Sequence, residues 1–333
     1  MIVFRAAAGP AVGAGHAMRC LAVAEAVLAL GVEAAMAVDE EAKATVPRLA
    51  SSRLSLLPPE PRACALVLLD GYAFTTADER AWSQQGARIA VLEDAPGRPH
   101  ACDLLIDPAP GHAEADYRPL APGARLLLGP AYAPIAGAFA RLRPPALARR
   151  GAPGPVRRVL VSMGLTDAAG LAPAALAALR SLPDVERIDV AVGRAAASLP
   201  AIQAAAALDP RVRLHLDASE MAELTAEADL AIGAAGGSSW ERCALGLPTV
   251  AVPAVDNQAE NARALAEAGA ALVVGPDEIG AAVEALTDPG RRAAMSAAAA
   301  ALVDGQGADR IARALVELAG LSPSGSGPTP AAP

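Results

Sequence analysis

Short, uninterrupted runs of β-branched and leucine residues alternate along this chain with alanine-rich helical stretches. A strand with no polar alternation has no solvated face, so both faces of its sheet must be covered. That condition belongs to parallel sheets joined by crossover helices. The pattern predicts strands over Ile2–Arg5, Glu33–Val38, Ala65–Asp70, Arg88–Leu92 and Leu104–Ile106. A second set follows at Arg158–Met163, Arg187–Val192, Val212–Leu216, Leu230–Gly233 and Thr249–Val252. Helices are expected between them, among others over Met18–Leu30, Leu171–Leu179, Met221–Glu227, Trp240–Leu245, Glu260–Ala268 and Ala308–Ala319.

With 333 residues, against about 150 per domain, two domains are expected. The Arg-, Pro- and Ala-rich run between Arg141 and Val156, "RLRPPALARRGAPGPV", reads as the linker between them. The expectation is an α/β protein of two Rossmann-like, doubly wound parallel-sheet domains facing a cleft. They span residues 1–140 and 157–320, joined by 141–156 and followed by a disordered tail over 321–333.

Composition excludes several classes. Apolar residues make up 53% and charged residues 19%, which is incompatible with a disordered chain. The net charge is −8, lysine occurs once (Lys43), and the arginines are scattered without a basic stripe. Aromatic residues amount to 2%, too few for the stacking platforms of single-strand binding, so no nucleic-acid partner is expected. Cys20, Cys64, Cys102 and Cys243 are widely spaced, with no C-x-x-C pair to suggest zinc, and read as reduced thiols. Neither a signal peptide nor an apolar window of about 18 residues occurs. A soluble, cytoplasmic monomer that needs no membrane is expected.

Two glycine-rich turns carry the chemistry. In the first, "VFRAAAGPAVGAGHAMRCLAVA", Gly13 and Gly15 allow close backbone approach and His16 stands at the start of a helix. The spacing is not that of a dinucleotide fingerprint. An imidazole at the mouth of a strand–helix turn can take a proton from water, or can simply cap or pack. Arg19, one turn on, would serve a phosphate or a helix-face salt bridge. His100, His112 and His215 read as structural, without partners.

The second, "LAIGAAGGSSWERCALGLPTVAVPAVDNQAEN", is the densest passage. Gly236, Gly237, Ser238 and Ser239 form a turn opening a helix, suited to a diphosphate. Glu241 can accept hydrogen bonds from a ribose diol. Asn257 and Gln258 follow the next strand, where open α/β sheets bind ligands.

The Gly-Gly-Ser turn, Glu241, "ALGLPTVAVP" and Gln258 resemble the nucleotide-sugar half of the lipid II-forming N-acetylglucosaminyltransferase and its relatives. Adding "GAGHAMRCLAVA", "LLDGY" (Leu68–Tyr72), "VLED" (Val91–Asp94) and "SMGLTD" (Ser162–Asp167) narrows the resemblance. Together they are similar to the UDP-2,4-diacetamido-2,4,6-trideoxy-β-L-altropyranose hydrolases of pseudaminic acid biosynthesis. The resemblance covers residues 1 to about 275. It implies a glycosyltransferase-B fold, hydrolysis of a UDP-sugar with inversion at the anomeric carbon, and neither metal nor cofactor. It places the catalytic role on His16 and nucleotide contacts on Glu241, Asn257 and Gln258, with Tyr72 and Asp94 near the sugar. Gly164 would wall the ligand. The chain departs from the family at Ala7–Ala8–Gly9, where an Asp-Ala-Ser sequence is common, and at Leu165, where a second glycine is usual. Two alternatives stand beside the hydrolase: a glycosyltransferase using a UDP-sugar donor, and a non-catalytic nucleotide-sugar binder.

Overall fold

The computed structural model describes residues 1–9, 12–152, 154–180, 182–255 and 258–322. Asn257 and the tail from residue 323 therefore lie outside the described residues. Two wholly parallel sheets organise the chain. The first has seven strands: β1 (Ile2–Ala6), β2 (Ala34–Ala37), β3 (Ser55–Leu57), β4 (Leu66–Asp70), β5 (Arg88–Leu92), β6 (Leu104–Asp107) and β7 (Arg125–Leu128). Their order is β3-β2-β1-β4-β5-β6-β7. The second has six: β8 (Arg158–Ser162), β9 (Arg187–Val192), β10 (Val212–Leu216), β11 (Leu230–Ala234), β12 (Thr249–Val252) and β13 (Leu272–Val273). Their order, β10-β9-β8-β11-β12-β13, repeats the same winding. The winding direction reverses between β1 and β4, and again between β8 and β11, and such a reversal opens a crevice at the carboxyl ends of the strands.

The inner strands are buried throughout: Val3, Phe4, Leu66, Val67 and Leu68 are at 0% exposure, as are Val159, Val161, Leu230 and Ile232. Helices on both faces make this possible, and their apolar sides fill two cores. Strands β3, β7 and β13, which the apolar-run criterion does not single out, are short and lie at or next to sheet edges.

Two segments depart from the domain limits expected from composition. Most of the proline-rich run taken as a linker is helical, the last part of the helix Gly137–Arg150, with Pro144 and Pro145 inside it. Adjacent prolines remove two backbone donors and ordinarily break a helix. Here tertiary bonds compensate, because Arg143 donates to the carbonyls of Ala300 (2.7 Å) and Val303 (2.8 Å) in the second half of the chain. Phe139 and Ala146 pack with Trp240 and Leu265. The helix Gly307–Leu318, expected with the second domain, instead crosses back. Its Ile311, Ala312 and Leu315 share a core with Val23 and Val27 of the helix Gly15–Ala29. Gly307 makes the crossing possible, since a Cβ there would stand 2.2 Å from the carbonyl oxygen of Ala133.

Among the described residues, no helix is long and apolar enough to cross a membrane.

Candidate active site

Strands β1 and β4 end side by side, with Ala6 in register with Asp70. The chain leaves β1 through a tight loop in which Gly13 (φ +81°) bonds back to Gly9 at 2.7 Å. It then enters the helix at Gly15, so His16 lies directly over the end of β4. The helix N-cap, Ala14, makes no side-chain bond, and the His16 ring turns to Asp70 instead of capping.

Asp70 is the hub. Its side chain is fully buried and accepts from His16 Nδ1 (2.7 Å), Arg19 Nε (2.6 Å) and Arg19 Nη2 (2.6 Å). Burial alone would raise its carboxyl, but Arg19 and then His16 outweigh it and hold the group near 2. An ionised carboxylate only accepts, so Nδ1 carries a proton toward Asp70, and in the neutral ring the lone pair is on Nε2. The pair is an imidazole oriented by a buried carboxylate.

Arg19 continues the network. Its Nη1 binds Asp94, whose other oxygen accepts from the Tyr72 hydroxyl at 2.7 Å. Burial opposes the charge on Arg19, yet Asp70 and Asp94 together drive its pKa well above the usual guanidinium range. Burial and the neighbouring Asp94 carboxylate push the Tyr72 hydroxyl well above its ordinary value, so it stays a donor. The Tyr72 ring stands edge-on to His16, with centroids 4.6 Å apart. Of the sequence candidates, His16, Arg19, Tyr72 and Asp94 thus meet in one cluster. Asp70 rather than Asp94 orients His16, and Arg19 sits in a carboxylate pair rather than facing out for a phosphate.

A second layer fixes the loop after β4. Arg98, paired with Glu93, donates to the carbonyls of Gly71 (3.1 Å) and Tyr72 (3.2 Å). Gly71 is required by close approach, because a Cβ would come 2.7 Å from that of Ala7. Ala7, at the place where the resembled family often has aspartate, therefore abuts this loop.

In the second domain, β11 ends at Ala234 and the Gly236–Gly237 turn leads into the helix Ser238–Ala244. Gln258 reaches over this turn. Its Oε1 accepts from the Ala254 amide (2.9 Å), and its Nε2 would lie 3.1 Å from a Cβ on Gly236. Glu241, in the first turn of the helix, has its carboxyl pushed up to about 7 by burial, against the pull of Arg242 and Arg48. Gly164 follows β8 with φ +91°, and nothing occupies the space a side chain would take there. Asp167 of "SMGLTD" is turned inward, accepting from the amides of Leu171 (2.9 Å) and Ala172 (3.2 Å).

The Arg48 guanidinium of the first domain is near enough to Glu241 of the second to pull its carboxyl down, against the effect of burial. A second link joins the domains: His112, oriented by the buried Asp107 at 2.5 Å, lies 3.5 Å from Glu260. His112 was expected to lack partners, as were His100 and His215. Each has a carboxylate instead, His100 with Glu79 (2.7 Å) and His215 with Asp189 (2.6 Å). Sequence reading also missed Arg242, which lies under the Gly-Gly-Ser turn at 3% exposure.

Comparison with known proteins bears on the fold and on the second domain. Residues 206–312 match the glycosyltransferase family 28 C-terminal domain. A UDP-N-acetylglucosamine--N-acetylmuramyl-(pentapeptide) pyrophosphoryl-undecaprenol N-acetylglucosamine transferase of Xanthomonas campestris pv. campestris (strain 8004) is 35% identical over 207 residues, 58% of this chain and 48% of that protein. The spore coat polysaccharide biosynthesis protein SpsG of Bacillus subtilis (strain 168) is 30% identical over 125 residues, 37% of each. The chain therefore spans about half, or less, of the length of these relatives. Among solved structures, Acinetobacter baumannii MurG superposes with TM-score 0.65 at 17% identity, covering 95% of this chain and 99% of that one. Spinosyn rhamnosyltransferase SpnG complexed with thymidine diphosphate gives 0.64 at 19%, covering 94% and 99%. The chain has the two-domain glycosyltransferase-B fold, carries a family 28 C-terminal domain, and has MurG-like glycosyltransferases among its homologues.

Proposed function

We propose that the protein is a glycosyl-transfer enzyme that takes a sugar from a UDP-sugar donor, with His16 as general base. The observation that carries this reading is the Asp70–His16 dyad at the switch point of the first sheet, opposite a family 28 donor half. In the proposed step, Nε2 of His16 takes the proton of the attacking hydroxyl. The hydroxyl oxygen bonds to the anomeric carbon on the face opposite the diphosphate, giving inversion. The carbon–oxygen bond to the β-phosphate breaks, and its electron pair leaves with UDP. The leaving anion is weakly basic and needs no acid. Amides of the Gly236–Gly237 turn and the Ser238 hydroxyl would receive its charge, and Glu241 and Gln258 would hold the nucleoside. Asp70 would stabilise the imidazolium as it forms. Arg19, Asp94 and Tyr72 would set the sugar-facing wall.

The relatives' names favour an acceptor hydroxyl as nucleophile. A second reading puts water in that place, hydrolysing UDP-2,4-diacetamido-2,4,6-trideoxy-β-L-altropyranose. It is favoured by the convergence of His16, Arg19, Asp70 and Tyr72, drawn from the motifs that carry that resemblance, on one cluster. UDP release from a panel of UDP-sugars, with and without candidate acceptor alcohols, separates the two. Release that depends on acceptor supports transfer, and equal release without acceptor supports hydrolysis. Wild-type protein releasing no UDP under either condition would refute both.

A further inference from the structure

Arg242 lies beneath the Gly236–Ser239 turn, and its surroundings contain something a structural arginine does not require. Its Nη2 donates to the carbonyl of Ala234 (2.6 Å) and to Ser239 Oγ (3.0 Å), and its Nη1 to Ser238 Oγ (3.1 Å). All three acceptors are neutral. Its Nε is buried without a hydrogen-bond partner. Burying a cation without a carboxylate against it carries a desolvation cost of several kcal/mol, whereas a neutral amide would satisfy a carbonyl and two hydroxyls. Strand β11 carries no side chain at Gly233, where a Cβ would meet both the backbone oxygen of Ser162 (2.8 Å) and the guanidinium, 2.7 Å from Nη1 and 2.9 Å from Cζ.

The hydroxyl geometry then becomes directional. A guanidinium only donates, so both serine oxygens facing it act as acceptors. Ser239 places its own hydrogen on the Ala234 carbonyl at 3.3 Å and is 2% exposed. Ser238 is half-buried beside the exposed Gly237, and because its oxygen accepts from Arg242 its own hydrogen points away from the guanidinium and is available to an acceptor at the turn. Burial draws the guanidinium down to about 10, which leaves it charged at neutral pH.

We infer that Arg242 is a positioning residue that makes this turn selective for a nucleoside diphosphate, by adding positive charge behind it and by aiming the Ser238 hydroxyl at the terminal phosphate. The inference rests on the UDP-sugar reading above, and adds to it the group that discriminates diphosphate from monophosphate.

Titration calorimetry of UDP and UMP against wild type, Arg242→Met, Arg242→Lys and Ser238→Ala tests it, with a thermal melt of each variant. Charge-assisted hydrogen bonds are about twice as strong as neutral ones, so Arg242→Met should weaken UDP at least about 10-fold and UMP by about 2-fold or less. Arg242→Lys should recover part of the UDP preference through charge alone. Ser238→Ala should lower UDP affinity severalfold, and by less in the Arg242→Met background, because the two act through one another. If Arg242→Met does not fold, Arg242→Lys and Ser238→Ala carry the test. An unchanged UDP-to-UMP ratio in the folded variants would overturn the role of Arg242 while leaving the donor site standing. Failure of wild type to bind UDP would overturn the donor reading and this inference with it.

Discussion

Asp70→Asn keeps the shape of the buried hub and removes its charge. Donors point at both carboxylate oxygens, His16 Nδ1 and Arg19 Nη2 at one and Arg19 Nε and the Cys20 thiol at the other, so an amide nitrogen in either place faces an N–H of Arg19. Turned one way it also faces His16 Nδ1, which then has to accept, moving the imidazole proton to Nε2 and abolishing the base. Turned the other way the histidine keeps its bond, but the negative charge that would stabilise the imidazolium is gone. Both orientations predict a fall in turnover of about 10²–10⁴, the usual share of a general base. Stability follows from linkage. The Asp70 carboxyl lies at about 2 against an ordinary 3.8, and at 1.36 kcal/mol per unit the ionised form contributes about 2 kcal/mol. Because the folded value is the lower one, this contribution is fully present above pH 4 and disappears as pH falls through 2. The variant should therefore be less stable than wild type at pH 7, with the difference shrinking toward pH 2. Urea melts across that range, together with UDP release at pH 7, provide the assay. Turnover within about threefold of wild type would refute the dyad as the base, since a general base contributes far more than that.

Three further outcomes are expected. His16→Asn should lower turnover by about 10²–10⁴ with UDP affinity unchanged in calorimetry, because the donor half lies in the other domain; a parallel loss of UDP affinity would count against the assignment. UDP affinity should rise as pH increases through 7, where Glu241 ionises and gains acceptor strength; Glu241→Gln should flatten that profile, and a slope that survives the substitution would remove Glu241 from the site. Gly307→Ala should destabilise by about 1–3 kcal/mol, since the new methyl group meets backbone atoms of Ala133 that cannot swing aside; an unchanged denaturation midpoint would contradict the tight crossing.

The inner strands were legible because a parallel strand covered on both faces is apolar over most of its length, as β1, β4, β5, β8, β9, β11 and β12 are. Of the edge strands, Val212–Leu216 was legible, whereas β3, β7 and β13 escaped for the opposite reason: Ser55–Leu57, for one, needs only one neighbour and is too short to make a run. His16, Arg19, Tyr72 and Asp94 were legible because residues just after parallel strands, or at the start of the following helix, necessarily share the crevice. What sequence spacing could not resolve was which carboxylate meets which cation: Asp70 bonds His16 and Arg19, and Asp94 bonds Arg19 and Tyr72. The roles of Arg143 and Arg150 were unreadable, because their partners are backbone carbonyls distant in sequence. An acceptor that every residue carries leaves no mark in the sequence. The helix at Gly137–Arg150 was hidden behind two prolines for the same reason.

The return of the helix Gly307–Leu318 to the helix Gly15–Ala29 has a consequence for synthesis. On the ribosome the first sheet is complete once residue 128 has emerged, yet the apolar side of its first helix remains uncovered while the entire second sheet is made. A nascent first domain would therefore wait, partly open, and its last increment of stability would arrive only with the final helix. Stalled chains ending before residue 303 should be cleaved by protease within the first domain far more readily than chains that include residues 307–318, and equal resistance would exclude such a wait. The two halves of the molecule are then coupled in time as well as in space, and neither is finished until the later one is.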